Sequence, residues 1–204
     1  MSELKKVLEN KFGEHRVHDF PLKSEEHIEL LEINLELRSP TTLLMTNGLS
    51  NYNMPVPEKF KDYKNIELYF CLPSYWEVHK DDEKFNWPYT QIQKLATHLL
   101  DKQTWYGAGH TFSNGNPPEA FSETMKQNYL LLAAPIMLEE HLQPVIINNK
   151  EVHFLAIVPI YEDEFEYKMG KGYFKFIRKY RAKNNDELLD DFRLSVRKNK
   201  FRIF

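Results

Sequence analysis

The chain has 204 residues, of which 42% are hydrophobic and 28% charged, and a formal net charge of −3. A globular chain of this length can bury a core without disulfide bonds, and its single cysteine, Cys71, excludes an internal one, so we expect a cytoplasmic protein. The longest apolar run, residues 129–138, is about half as long as a membrane-spanning helix, so we expect no membrane partner.

The charge is unevenly distributed along the chain. Residues 168–204 hold 12 Lys or Arg and 4 Asp or Glu, a net charge of +8. Residues 1–167 hold 15 Lys or Arg and 26 Asp or Glu, a net charge of −11. We therefore expect the basic tail to pack against the acidic remainder. Nucleic-acid binding through residues 193–204 is an alternative function, although an acidic protein repels a polyanion at long range.

The first predicted elements are one helix and three strands. Residues 2–12 carry apolar side chains at helical spacing, and Gly13 suits the end of that helix. Residues 31–38 alternate apolar and polar side chains, which predicts a strand with one wet face. Residues 41–47 and 65–72 are predicted as two further strands.

A second helix, a buried strand and a hairpin follow. The segment from Pro88 to about Lys102 has the apolar spacing of a helix, with Pro88 in its first turn. Residues 128–135 predict a buried strand. Residues 144–160 predict a hairpin that turns at the adjacent residues Asn148 and Asn149, which tolerate positive φ.

Beyond Tyr161 the pattern becomes helical. Residues 162–181 predict helical structure, and residues 184–197 predict a last helix with Asn185 or Asp186 as its N-cap. Strands and helices without regular alternation predict an α+β fold, a single domain with a mixed, mostly antiparallel sheet flanked by helices.

The loop within residues 43–57, LLMTNGLSNYNMPVP, has an unusual density of turn-forming residues. A phosphate cradle would need several glycines before a helix, but the loop has only Gly48, and Pro55 and Pro57 oppose a helix start. We therefore expect Gly48 to take a positive φ and turn the chain.

Two interpretations of the other side chains in this loop stay open. Asn47, Ser50 and Asn51 can satisfy backbone groups locally, as such residues do in turns. Alternatively, Tyr52 and Met54 are exposed beside a sheet edge and dock a partner.

An enzyme is the main alternative from another class. Cys71 with His110 or His153 could form a nucleophile pair in a hydrolase, but a thiol within an apolar strand lacks a neighbour that lowers its pKa. His15 and His18 could hold a metal, but the sequence offers no clear third ligand. We expect neither a catalytic residue, a metal nor a cofactor.

Five segments together resemble the Suppressor of Fused domain family: TNGLSNYNMPVP, IELYFCLPSYW, NWPYTQIQKLATHLL, WYGAGHTF and VHFLAIVPIYEDEFEYKMGKG. They follow one another in the family's order. The resemblance implies a non-catalytic protein-binding domain. The best-known animal member clamps a transcription-factor peptide between this domain and a second one, which we do not expect within one copy of this chain. Stand-alone copies resemble bacterial proteins, some of which are thought to neutralise toxins.

The resemblance also implies the domain limits and a binding surface. We expect an N-terminal helix at 1–16, the Suppressor of Fused-like domain at 17–180, and a basic tail at 181–204 packed on the same domain. Tyr52 lies near the family's peptide-binding surface. The predicted partner-binding residues are Asn47, Gly48, Ser50, Tyr52, Met54 and Trp76, with Asp81, Asp82 and Glu83 steering a basic partner protein, such as a toxin.

Overall fold

The structure is a computed structural model that describes residues 3–19, 27–37, 39–77 and 82–197. Eight strands in these ranges form one sheet, in the order β1-β2-β3-β4-β8-β6-β5 with β7 beside β8. They are β1 (Arg16–Asp19), β2 (Glu29–Glu36), β3 (Pro40–Asn47), β4 (Asn65–Pro73), β5 (Thr111–Ser113), β6 (Tyr129–Ala133), β7 (Val145–Ile147) and β8 (Lys150–Ile160). Neighbouring strands are antiparallel except β4 and β8, which confirms the mixed, mostly antiparallel sheet.

Helices cover both faces of this sheet, so the α+β prediction is confirmed. They are α1 (Glu3–Phe12), α2 (Glu83–Asp101), α3 (Glu162–Lys171) and α4 (Tyr173–Arg181), with short 3-10 helices at Leu49–Asn51 and Glu58–Tyr63. Among the helices of the described ranges, none combines the length and apolar character that a membrane span requires.

The central strand β4 separates two halves of the core, because successive side chains of a strand point to opposite faces. Ile66, Leu68 and Phe70 belong to the half that also contains the apolar side chains of α2. Tyr69 and Cys71 belong to the other half, with the apolar side chains of α1 and α4. The side of the sheet on which a residue lies can therefore be read from its core cluster.

The predicted wet face of strand β2 is only partly correct. Asn34 and Glu36 are exposed, but Glu32 is buried. The reason is that strand β1 pairs with β2 and brings His18 over this carboxylate, with His18 Nε2 2.8 Å from Glu32 Oε2.

The two turn predictions that depend on asparagine and proline have different outcomes. Asn148 and Asn149 have φ values of 49° and 60° between β7 and β8, so the predicted hairpin is confirmed. Helix α2, however, does not begin at Pro88. It begins at Glu83, because the side chain of Asp82 accepts the N–H of Lys84 and caps the helix.

The predicted last helix at residues 184–197 is wrong. The side chains of Asp186 and Asp190 accept the N–H groups of Leu188 and Phe192, each two residues further on. Such turns compete with helical hydrogen bonding. The chain from 185 to 197, called the C-terminal segment below, is therefore irregular.

The C-terminal segment lies where β4 and β8 stop pairing. These strands pair only through Asn65–Tyr69 and Val152–Ala156. Beyond that point the N–H of Leu189 donates to the carbonyl of Cys71 at 2.8 Å, and Arg193 Nη2 donates to the carbonyl of Pro159 at 2.7 Å. The segment thus supplies partners for backbone groups that the neighbouring strand leaves free.

Two buried carboxylates fix this segment in place. Glu187 accepts the N–H groups of residues 136, 137 and 138 at 3.0, 2.6 and 2.9 Å. Glu164 of α3 is fully buried and receives both Nη atoms of Arg193 at 2.7 Å. It also accepts the N–H groups of Tyr161 and Val196. The bidentate ion pair joins α3 to the segment.

We predict that Arg193→Leu lowers the free energy of unfolding by about 3–5 kcal/mol, because it leaves the Glu164 carboxylate buried without its cation. Urea denaturation followed by circular dichroism measures this change. Arg197→Leu is the matched control, since Arg197 is exposed and its guanidinium lies over the Tyr167 ring. Equal stability losses for both variants would show that burial of the ion pair does not matter.

Candidate functional site

The turn after strand β3 confirms the expected role of Gly48. Its φ is 114°, and a Cβ atom added to it would lie 2.6 Å from the carbonyl oxygen of His27. Only glycine fits both the backbone conformation and the available space. Gly48 therefore determines the direction in which the loop leaves the end of strand β3.

A buried carboxylate from strand β4, Glu67, holds this turn. Glu67 Oε1 accepts the N–H groups of Gly48 and Ser50, each at 3.0 Å, and Oε2 accepts the Thr46 hydroxyl at 2.5 Å. Burial raises the pKa of the Glu67 carboxyl above its usual value, although these hydrogen bonds partly oppose the shift. Sequence reasoning missed this residue because it looks like one polar position in an otherwise apolar strand.

A second side chain of β4 holds the rest of the loop. Asn65 Nδ2 donates to the carbonyl oxygens of Ser50 and Tyr52 at 2.8 and 3.3 Å, and to Asn53 Oδ1 at 2.8 Å. Asn47 Nδ2 likewise reaches Glu29 of β2. The expectation of purely local satisfaction is therefore wrong, because neighbouring strands supply the partners.

The expected exposure of Met54 is also wrong. Met54 is 2% exposed, and its sulfur accepts the N–H of Tyr106 at 3.2 Å. Tyr52 is half-buried, and its hydroxyl donates to the carbonyl of Thr104 at 3.4 Å. Of the two predicted docking side chains, only Tyr52 has surface available for a partner.

Trp76, Asp82 and Glu83, which were also predicted, lie at the N-terminal end of helix α2. Trp76 is buried, and its Nε1 donates to the carbonyl of Phe85 at 3.0 Å. Asp82 caps α2 and Glu83 is its exposed first residue, while Asp81 lies outside the described residues. The 19 residues of α2 span about 28 Å.

Tyr52 contacts the chain just beyond the C-terminal end of α2, whereas Trp76 contacts its first turn. The structure therefore does not bring the two groups of predicted residues together. Asn47, Gly48, Ser50 and Met54 lie with Tyr52 at one end of the sheet.

An exposed apolar surface adjoins Trp76 and was missed by the sequence analysis. Tyr75, Phe192 and Leu194 are 48%, 80% and 55% exposed. The rings of Tyr75 and Phe192 lie 6.5 Å apart, and the Tyr75 hydroxyl donates to Asp191 Oδ1 at 2.8 Å. We call Tyr75, Asp190, Asp191, Phe192 and Leu194 the Tyr75–Phe192 surface.

The polarity of the C-terminal segment is inverted along this surface. Arg193 and Ser195 are buried, whereas Phe192 and Leu194 between and beside them are exposed. Arg193 is turned inward by Glu164, and the Ser195 hydroxyl by Asp163, whose oxygens it meets at 2.9 and 2.8 Å. The apolar side chains of Phe192 and Leu194, which alternate with these two, face solvent. The alternating FRLS sequence carried this signal, but it was interpreted as helical.

The alternative hypothesis of a hydrolase would need Cys71 beside His110, and the structure does not bring these two together. Cys71 belongs to the core half beneath α1 and α4, whereas the His110 ring packs on Trp105, which lies against the half beneath α2. Burial also raises the pKa of the Cys71 thiol well above its usual value, which disfavours the reactive thiolate.

The candidate metal ligands are likewise not gathered. His18 is bonded to Glu32, and burial lowers the pKa of His15. Within the described ranges, no group of three or more His, Cys, Asp or Glu residues has the arrangement of a metal site.

We predict that Glu67→Gln removes the contribution of this carboxyl to the pH dependence of the free energy of unfolding. The glutamine side chain keeps a carbonyl oxygen that can accept the N–H groups of the loop. Because the folded pKa of Glu67 is raised, its contribution is fully present below the unfolded pKa and is lost as pH rises through the folded one. The variant should therefore gain stability relative to wild type as the pH rises from about 4, near the unfolded pKa of glutamate, by about 1.4 kcal/mol per unit of pKa difference.

Urea unfolding across that pH range measures the difference. Glu58→Gln is the control, since Glu58 is exposed. A stability difference between the Glu67 variant and wild type that is constant with pH would contradict the raised pKa.

Comparison with known proteins places this geometry in context. The chain is similar to a putative SUFU homolog from Neisseria gonorrhoeae, with a TM-score of 0.65, 14% identity, and coverage of 94% of this chain and 93% of that one. Drosophila Suppressor of Fused gives a TM-score of 0.65 and 18% identity over 95% of this chain, which spans about half (49%) of that protein.

A chain from the Sufu-Fu complex crystal structure gives a TM-score of 0.65, 16% identity, and coverage of 95% of this chain and 88% of that one. At these identities the likeness concerns the fold alone. A comparison with curated proteins found no match. The model of the Suppressor of fused protein (SUFU) family, however, matches residues 24–193. The chain therefore belongs to the Suppressor of fused family.

Proposed function

We propose that this chain is a non-enzymatic, cytoplasmic protein-binding domain whose main contact area is the Tyr75–Phe192 surface. The observation that carries the proposal is the inverted polarity of the C-terminal segment, in which Phe192 and Leu194 face solvent while Arg193 is buried. Exposed apolar side chains grouped in this way are typical of interaction sites. The Sufu-Fu complex supports the proposal, because a chain of this fold was crystallised as part of it.

The charge around this surface favours a basic partner. Asp190 and Asp191 lie in the C-terminal segment, and their negative charges contribute to raising the pKa of Tyr75, after the larger effect of burial. Asp82 and Glu83 begin α2, whose first turn Trp76 contacts. Carboxylates of this kind would speed association with a cationic partner, while the apolar side chains would slow its release.

Trp76 and Met54 then act as supports instead of direct contacts. Trp76 lies under Tyr75, with ring centroids 6.4 Å apart, and holds the first turn of α2. Met54 positions the chain at Tyr106. Asn47, Gly48 and Ser50 shape the loop that carries Tyr52, which we propose as a separate, smaller contact.

Neutralisation of a bacterial toxin is the finer form of this proposal. A toxin with a basic surface would match the carboxylates near Phe192. Expression of a candidate toxin from the same genome should arrest the growth of the host cells, and co-expression of this chain should restore it. If the Phe192→Ser variant restores growth as well as wild type does, the toxin is not bound through the proposed contact area.

We predict that Phe192→Ser weakens binding of the partner about 10- to 100-fold, since a fully buried aromatic side chain contributes about 1.5–3 kcal/mol. The partner is first captured from the native host with wild-type protein and identified, and its dissociation constant is then measured by calorimetry. Phe174→Ser is the matched control, because Phe174 is similarly exposed but lies on helix α4 instead of the C-terminal segment. Equal affinities for wild type and the Phe192 variant would remove this surface from the proposal.

We also predict that Tyr52→Ala weakens the same complex less than Phe192→Ser does, because Tyr52 is half-buried against its own chain. The comparison uses single variants. A Met54→Ala change would empty a core position and cost about 2–5 kcal/mol of stability. Thermal denaturation of each variant checks that the fold is kept. A larger loss for Tyr52→Ala would make the loop the principal contact.

A further inference from the structure

The corner formed by helices α3 and α4 is strongly basic. Residues 168–183, called the basic corner below, contain no acidic residue. Their basic residues are Lys168, Lys171, Lys175, Arg178, Lys179, Arg181 and Lys183. The proposed protein-binding function uses none of them.

Two large apolar side chains protrude from the basic corner. Met169 is 62% exposed and Phe174 is 86% exposed, and they flank Gly172, where α3 ends and α4 begins. Phe176 and Tyr180 of α4 are buried, so the helix is already anchored to the core through its inner face. The exposure of Phe174 is therefore not needed for attachment of α4.

The outer face of α4 combines this apolar side chain with cations. Phe174, Arg178 and Arg181 recur at the spacing that places residues on one helical face, and all three are exposed. Lys175 adjoins them and is exposed as well. An apolar side chain in a row of cations is the pattern of a helix that lies at a membrane surface.

Most of these cations lack an acidic partner. Arg181 pairs with Glu139 at 3.3 Å, and Lys179 lies over the Tyr167 ring. Lys171, Lys175, Arg178 and Lys183 form no ion pair within the described ranges. Their positive charge is thus available to an external anionic surface.

We propose that the basic corner binds peripherally to anionic phospholipid bilayers. Lysine and arginine side chains would lie at the anionic headgroups, while Met169 and Phe174 enter the boundary with the acyl chains. The proposal is independent of the Tyr75–Phe192 surface. The expectation of no membrane partner rested on the missing span, which peripheral binding does not require.

A bilayer fits these features better than a nucleic acid or an acidic protein. The two apolar side chains protrude, and a bilayer can receive them without a complementary pocket. Nucleic-acid binding could use Phe174 for stacking on a base, but it gives no role to a protruding methionine. The exposed pair of Met169 and Phe174 therefore favours a lipid bilayer over a nucleic acid as the partner of the basic corner.

Sedimentation with sucrose-loaded vesicles tests the proposal. Wild-type protein should bind vesicles containing phosphatidylserine at low salt, and should bind phosphatidylcholine vesicles weakly. Phe174→Ser should lower the partition coefficient about tenfold. The double variant Lys175→Gln, Arg178→Gln should lower it by about 25-fold, since each cation contributes about fivefold.

Matched controls test whether removing any exposed phenylalanine, or any two exposed cations, has the same effect on vesicle binding. Phe192→Ser removes an equally exposed phenylalanine, and Lys59→Gln, Lys61→Gln removes two exposed cations elsewhere. Both should bind vesicles as wild type does. The proposal is overturned if wild-type protein does not sediment with phosphatidylserine vesicles, or if the control variants lose as much vesicle binding as the test variants. It is also overturned if the protein binds RNA but not vesicles and Phe174→Ser weakens the RNA binding.

Discussion

The early separation of strands β4 and β8 is the constraint on which the rest of this structure depends. The two strands pair over five residues each, Asn65–Tyr69 and Val152–Ala156, and then leave backbone groups without a strand partner. Buried backbone groups must be satisfied, so another segment has to enter the gap. The C-terminal segment does so, through Leu189 and Arg193. The exposure of Phe192 follows from this insertion, because its neighbour Arg193 must point inward.

Buried glutamates do for irregular segments what strand pairing does for the sheet. Glu67 binds the turn after β3, Glu187 binds the backbone that follows β6, and Glu164 binds the C-terminal segment. Each carboxyl accepts at least two backbone N–H groups, whose loss of water would otherwise destabilise the fold. These three buried acids are therefore engaged in holding irregular backbone in place.

The sequence predicted the regular elements because their apolar periodicity matches their final environment. Helices α1, α2 and α4 each bury one apolar face, whereas strands β4, β6 and β8 are buried on both faces and appear in the sequence as short apolar runs. The burial of Glu32 in β2 and the start of α2 were less predictable, since they depend on the neighbouring strand β1 and on the Asp82 cap.

The candidate surface could not be predicted in the same way. Phe192 and Leu194 are exposed only because Arg193 and Ser195 find acids on α3, about thirty residues earlier in the chain. The alternation of residues 192–195 is too short to distinguish this arrangement from a helical pattern without knowledge of the long-range pairing. The split of the predicted site had a similar cause, because the sequence does not reveal that α2 separates Tyr52 from Trp76.

The charge asymmetry of the chain is resolved only in part within the molecule. We expected the basic tail to pack on the acidic remainder, and Arg193 with Glu164 does this in the core. The cations of the basic corner behave differently, because Arg181 alone among them pairs with an acid in the described ranges. Exposed ion pairs contribute little to stability, so folding gives no strong reason to place these cations together. Their placement beside Met169 and Phe174, at a corner where the core needs neither, is better explained by an external anionic surface.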